Sequence, residues 1–117
     1  MKIHYVFLVV GAGGTGGNFI KEFVRFITNF TSDKVKIDVI LIDGDTVEKK
    51  NCDRQPYLLS DINQNKALVL ANAIGDTYGY DVYAFSKYLE EPKQLSTILK
   101  KFSNDVIPVI VGCVDNV

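Results

Sequence analysis

The chain has 117 residues, 47% of them hydrophobic and 23% charged, which suffices for one buried core and is too short for two ordinary domains. Thirteen basic and fourteen acidic residues leave a formal net charge of -1, so no global positive field points to nucleic acid or an anionic membrane as partner. No apolar run approaches the length of a membrane span, and Cys52 and Cys113 have neither metal-ligand nor C-x-x-C spacing, which suits a reducing, cytoplasmic setting.

Residues 3–10 form an almost continuous apolar run, the pattern of a central strand covered on both faces. His4, the only histidine, has no carboxylate beside it in sequence and is given no chemistry. Gly11-Ala12-Gly13-Gly14-Thr15-Gly16-Gly17 follows directly. Gly11, Gly13 and Gly16 match the G-x-G-x-x-G pattern of a strand, tight turn and helix whose backbone N–H groups face a phosphate.

Residues 18–30 read as a helix, with Phe19, Ile20, Phe23, Val24, Ile27 and Phe30 on one side, Phe26 widening that stripe, and Lys21, Glu22 and Arg25 opposite. A β-branched run over residues 36–42 gives the second strand and ends at Asp43, where a carboxylate can accept hydrogen bonds from ribose hydroxyls. Residues 45–60 lack periodicity and are rich in charge, the profile of a functional loop, with Tyr57, Leu58 and Leu59 expected to dock it on the domain. Arg54, one of two arginines, has the planar fork that suits phosphate.

A second helix is expected over residues 61–77, capped by Ser60 or Asp61, packing through Ala67, Leu68, Leu70, Ala71 and Ile74 and carrying Lys66 in its first turns. Residues 81–86 give a short strand, Pro92 opens a helix with the stripe Leu95, Ile98, Leu99 and Phe102, and residues 106–111 give a fourth strand. The fold class expected is α/β, a Rossmann-like three-layer arrangement with a mostly parallel sheet of strand order 3-2-1-4, truncated after its fourth strand.

Taken together, Gly11-Ala12-Gly13-Gly14-Thr15-Gly16, Asp43-Gly44-Asp45-Thr46-Val47-Glu48, Asn51-Cys52-Asp53-Arg54-Gln55, Lys66 and Cys113-Val114-Asp115-Asn116 resemble the ThiF/MoeB family of ubiquitin-activating-enzyme-like adenylyltransferases. The resemblance implies that residues 1–117 are the N-terminal nucleotide-binding part of such a domain, incomplete by themselves and inactive alone. It implies ATP and Mg2+ as cofactors, with zinc only in a region beyond this chain, and a homodimer. The partner implied is a small ubiquitin-like or sulfur-carrier protein with a C-terminal Gly-Gly tail.

By the same resemblance Gly11, Gly13, Gly14, Gly16 and Asp43 would hold the nucleotide, and Asn51, Arg54 and Lys66 its phosphates. Gln55 would support them, Asp45 and Asn116 would shape the loop and touch the nucleotide, and Asp115 would hold magnesium. Arg54, Lys66 and Asp115 would be the catalytic residues, while Cys52 and Cys113 match no catalytic thiol and read as buried fillers. Asn63-Gln64-Asn65 departs from the family's Gly-x-Pro before the lysine. Two alternatives stay open: an NAD- or FAD-binding oxidoreductase domain, whose fingerprint the glycines and Asp43 also satisfy, and a non-catalytic relative that recognises a partner.

Overall fold

The computed structural model describes residues 3–29, 34–52, 57–102 and 105–113. Their central element is β1 (Ile3–Val10), flanked in parallel by β2 (Val35–Ile42) and β4 (Val106–Gly112), with β3 (Val82–Phe85) beyond β2. The sheet order is β3-β2-β1-β4, as the pattern of strands and crossovers predicts. Because side chains alternate along a strand, β1 and β2 feed two cores. Val6, Leu8, Ile40 and Ile42 pack with Ile98 of α3 (Pro92–Leu99), whereas Val9, Val39 and Leu41 pack with α1 (Gly14–Thr28) and α2 (Lys66–Tyr78).

The strands finish level. Val10 lies opposite Ile42 and Gly112, and Ile42 opposite Phe85. The pairing runs one residue further: Gly11 N–H donates to Ile42 O at 2.8 Å, Asp43 N–H to Phe85 O at 3.1 Å and Cys113 N–H to Val10 O at 2.8 Å. The glycine loop, Asp43 and Cys113 thus emerge together at the carboxyl edge, beside the point where strand order reverses, which is where open α/β sheets bind ligands.

Several expectations shift. Helix α1 begins at Gly14 rather than residue 18, so the glycine loop supplies its first turn. Ile20, Val24 and Ile27 are buried as expected, but Phe26 faces solvent; Phe30 lies outside the described residues. Helix α2 begins at Lys66, with Asn65 as cap: its Oδ1 accepts the Leu68 N–H at 3.0 Å. The proposed caps Ser60 and Asp61 belong instead to a separate 3-10 turn, Leu59–Asp61. Leu68 points outward, as do Leu58 and Leu59, so Tyr57 alone of that trio docks on the core.

His4 does have a carboxylate, supplied from the neighbouring strand. Its Nε2 lies 2.5 Å from Asp38 Oδ2, the same oxygen that Lys36 Nζ approaches at 3.9 Å. This pair sits at the opposite end of the sheet from the glycine loop, and it joins residues far apart in sequence, which is why local reading missed it.

Candidate functional site

Two glycines of the loop are dictated by geometry. Gly11 has φ +106°, a conformation that side chains rarely adopt. A Cβ on Gly16 would stand 1.9 Å from the Gly11 carbonyl oxygen, so only glycine lets the first turn of α1 lie against the end of β1. Gly13 caps α1 in an extended conformation without a side-chain bond, and the first helical bond runs from Gly17 N–H to Gly13 O at 2.7 Å. The N–H groups of the preceding turn have no intrahelical acceptor and carry the positive end of the helix dipole.

Asp43 stands directly behind this loop and is buried. Its Oδ2 accepts the Ala12 N–H at 2.7 Å and its Oδ1 the Asp45 N–H at 2.8 Å, so the backbone fixes the carboxylate while a lone pair on each oxygen remains for a further donor. Its own carbonyl accepts from Asn65 Nδ2 at 2.9 Å, joining the end of β2 to the cap of α2.

The segment after Asp43 is sewn to the start of α2. Thr46 and Asn65 form an antiparallel bridge, Val47 N–H donates to Gln64 O at 2.8 Å, Asn63 N–H to Val47 O at 2.8 Å, and Lys66 N–H to Asp45 O at 2.9 Å. Asn63 takes φ +74°, which asparagine tolerates better than most residues. Asn63-Gln64-Asn65 therefore does by pairing and capping what a Gly-x-Pro turn would do by backbone preference, and Lys66 is set as the first residue of the helix.

Lys66 is only 8% exposed, and among the described residues no carboxylate lies within ion-pair reach of it. Burying an ammonium without a counter-charge is costly, and the N-terminus of a helix is an unfavourable place for a cation. Both penalties are relieved by an anion. Asn51 is also buried; its Oδ1 accepts the Glu48 N–H at 2.8 Å, its own backbone N–H donates to Glu48 O at 2.9 Å, and no described residue accepts from its side-chain Nδ2.

Two cavities meet here. One, of about 230 Å³, is lined by Gly11, Gly13, Asp43 and Cys113 together with the apolar Val10, Ile42 and Leu89. The other, of about 350 Å³, is lined by Thr46, Glu48, Lys50 and Asn51. Asp45, Lys66 and Tyr88 border both. The smaller joins apolar side chains to the Asp43 carboxylate, and the larger offers amide and ammonium donors.

Sequence reading missed two residues of this site. Tyr88 lays its ring on Gly44, where a Cβ would come within 2.5 Å of it, and its hydroxyl donates to the Asp45 carboxylate. Tyr57, 4% exposed, donates its hydroxyl to the Ala12 carbonyl and, at 3.3 Å, to the Lys66 carbonyl. Burial, reinforced by the charges of Asp43 and Asp61, pushes the Tyr57 phenol well above its ordinary range, so it stays a donor at any working pH. Neither role has a local signal, because the partners lie far off in sequence.

The structure thus brings Gly11, Gly13, Gly14, Gly16, Asp43, Asp45, Asn51 and Lys66 to one edge of the sheet. Arg54, Gln55, Asp115 and Asn116 lie outside the described residues. Cys113 is buried as expected, whereas Cys52 is partly exposed. Among the described residues no group of three or more His, Cys, Asp and Glu is placed to hold a metal, and no helix is long and apolar enough to cross a membrane.

Solved structures with this fold include E. coli TcdA, the tRNA N6-threonylcarbamoyladenosine dehydratase, in complex with ATP, at TM-score 0.69 and 22% identity over 96% of this chain and 42% of that one. They include E. coli MccB with ATP, at TM-score 0.60 and 21% identity over 85% of this chain and 26% of that one. A third is MccB with AMPCPP and MccA, at TM-score 0.62 and 22% identity over 80% and 26%. The chain spans 42% of the length of TcdA and 26% of that of MccB. No curated protein matches it by sequence. The profile of the ThiF family matches residues 4–117, the same residues that build the glycine loop, the Asp43 edge and the Lys66 helix, and the chain belongs to that family.

Proposed function

We propose that this chain is the nucleotide-binding part of an ATP-dependent adenylyltransferase that activates the C-terminal carboxylate of a small partner protein. The observation that carries this reading is Lys66: a buried lysine side chain without a carboxylate partner among the described residues, on the wall shared by the Asp43 cavity and the Asn51 cavity. A nucleoside in the first and a polyphosphate in the second would give Lys66 its counter-charge. Family membership supports the reading, as do the ATP held by TcdA and MccB and the MccA held by MccB.

In the reaction a carboxylate oxygen of the partner attacks the α-phosphorus of ATP, the α–β bridging bond breaks, and pyrophosphate leaves an acyl-adenylate. A carboxylate needs no base to take a proton from it. The task is alignment and neutralisation of charge on the phosphates. Asp43 would orient the ribose, and the N–H groups of the glycine loop, Asn51, Lys66 and Arg54 would take the phosphate oxygens. Gln55, Asp45 and Asn116 would support them. Magnesium would sit with Asp115, outside the described residues, and neutralise phosphate charge there. The partner would be a ubiquitin-like or sulfur-carrier protein ending in Gly-Gly, and the working unit a cytoplasmic homodimer.

ATP:pyrophosphate exchange with the full-length protein tests this. Label should pass from pyrophosphate into ATP only when a suitable Gly-Gly-ended protein is present. Absence of exchange across a panel of such proteins, with ATP bound, would instead support a partner-recognition role.

A further inference from the structure

We infer that Tyr57 is a positioning residue of the nucleotide site, a hydroxyl rivet that holds the glycine loop and the Lys66 end of α2 at the separation a polyphosphate must span. The inference rests on the ATP reading above.

The geometry is specific. The Ala12 peptide is held from both sides, its N–H by Asp43 Oδ2 at 2.7 Å and its carbonyl by the Tyr57 hydroxyl. The same hydroxyl lies 3.3 Å from the Lys66 carbonyl, the second and weaker acceptor of its single proton in a shared, three-centre bond. Lys66 in turn gives its N–H to Asp45 O at 2.9 Å, and Asp45 gives its own N–H to Asp43 Oδ1 at 2.8 Å. Ala12, Asp43, Asp45, Lys66 and Tyr57 thus close a ring of hydrogen bonds, two of whose members, Asp45 and Lys66, border both cavities. One arc runs through the Asp43 carboxylate, which lines the smaller cavity; the other runs through Tyr57, shielded from solvent.

Without the hydroxyl, the hydrogen-bond path among the described residues from the glycine loop to α2 runs through Asp43 alone, onward by way of Asp45 and Asn65, with apolar packing beneath it. A ligand held on the Asp43 side alone needs no fixed distance to Lys66. A ligand that bridges both sides must order that distance itself, at the expense of affinity. Tyr57 therefore matters for ATP and not for adenosine.

The test is Tyr57→Phe, which keeps the ring and removes the hydroxyl, assayed by calorimetric titration of the full-length protein with ATP and with adenosine. One lost hydrogen bond of ordinary strength should weaken ATP about five-fold while adenosine stays within about two-fold. In a Lys66→Met background the same change should cost ATP no more than about two-fold, because the second anchor is already gone. Equal losses for ATP and adenosine, an undiminished loss in the Lys66→Met background, unchanged ATP affinity, or a Tyr57→Phe chain that does not fold would each overturn the inference. Failure of the unaltered protein to bind ATP would remove the ATP reading itself, a separate outcome.

Discussion

Gly16→Ala should destabilise the fold by about 3 kcal/mol or more, lowering the thermal midpoint by roughly 10–15 °C in a chain of this size. The added methyl would stand 1.9 Å from the Gly11 oxygen and 2.8 Å from its carbonyl carbon, and both belong to backbone. Backbone cannot rotate aside as a long side chain can. Gly11 is itself fixed by its positive φ and by its N–H bond to Ile42, so relief requires α1 to move away from the sheet. That movement would open the packing of Ile20 and Val24 on Val9 and Leu41. Gly112→Ala is the matched control. Nothing lies within 4 Å of a Cβ there, so its midpoint should stay close to that of the unaltered protein. Circular dichroism melting of the two variants decides the matter; equal midpoints would show that close approach at Gly16 does not constrain the fold.

Lys66→Met should cost about 100-fold in ATP affinity and in pyrophosphate exchange, while leaving adenosine binding nearly unchanged. Methionine replaces most of the aliphatic stem and removes the ammonium, so packing survives and charge does not. Removing one buried donor to a developing phosphate charge typically costs on the order of 3 kcal/mol. Because the ammonium has no carboxylate partner among the described residues, its removal should leave thermal stability unchanged or raise it. That combination, a gain or no change in stability with a loss of binding, separates a ligand-facing lysine from one that supports the fold. A large fall in the melting midpoint together with intact ATP affinity would place Lys66 among the structural residues.

Much of the architecture could be read locally. The apolar run of β1, the β-branched run of β2 and the spacing of Ile20, Val24 and Ile27 each repeat with the period of their element, and the parallel order follows from crossover handedness. The glycine loop and Asp43 were legible because each sits where a strand ends, a position visible in sequence. What escaped depends on residues distant along the chain. The start of α2 is delayed because Asn63 and Gln64 pair with Val47 before Asn65 caps the helix. His4 meets Asp38, Tyr57 meets Ala12, and Tyr88 meets Gly44, all across folded space. Phe26, Leu58, Leu59 and Leu68 looked like core because apolarity alone does not say which way a side chain faces.

The most direct measurement of the central claim is equilibrium titration of the protein with ATP and, separately, with NAD. The joined cavities, with Asp43 in one, Asn51 in the other and Lys66 between them, call for saturable binding of ATP and none of NAD. Saturable binding of NAD with no binding of ATP would contradict the account and return the glycine loop to a dinucleotide role.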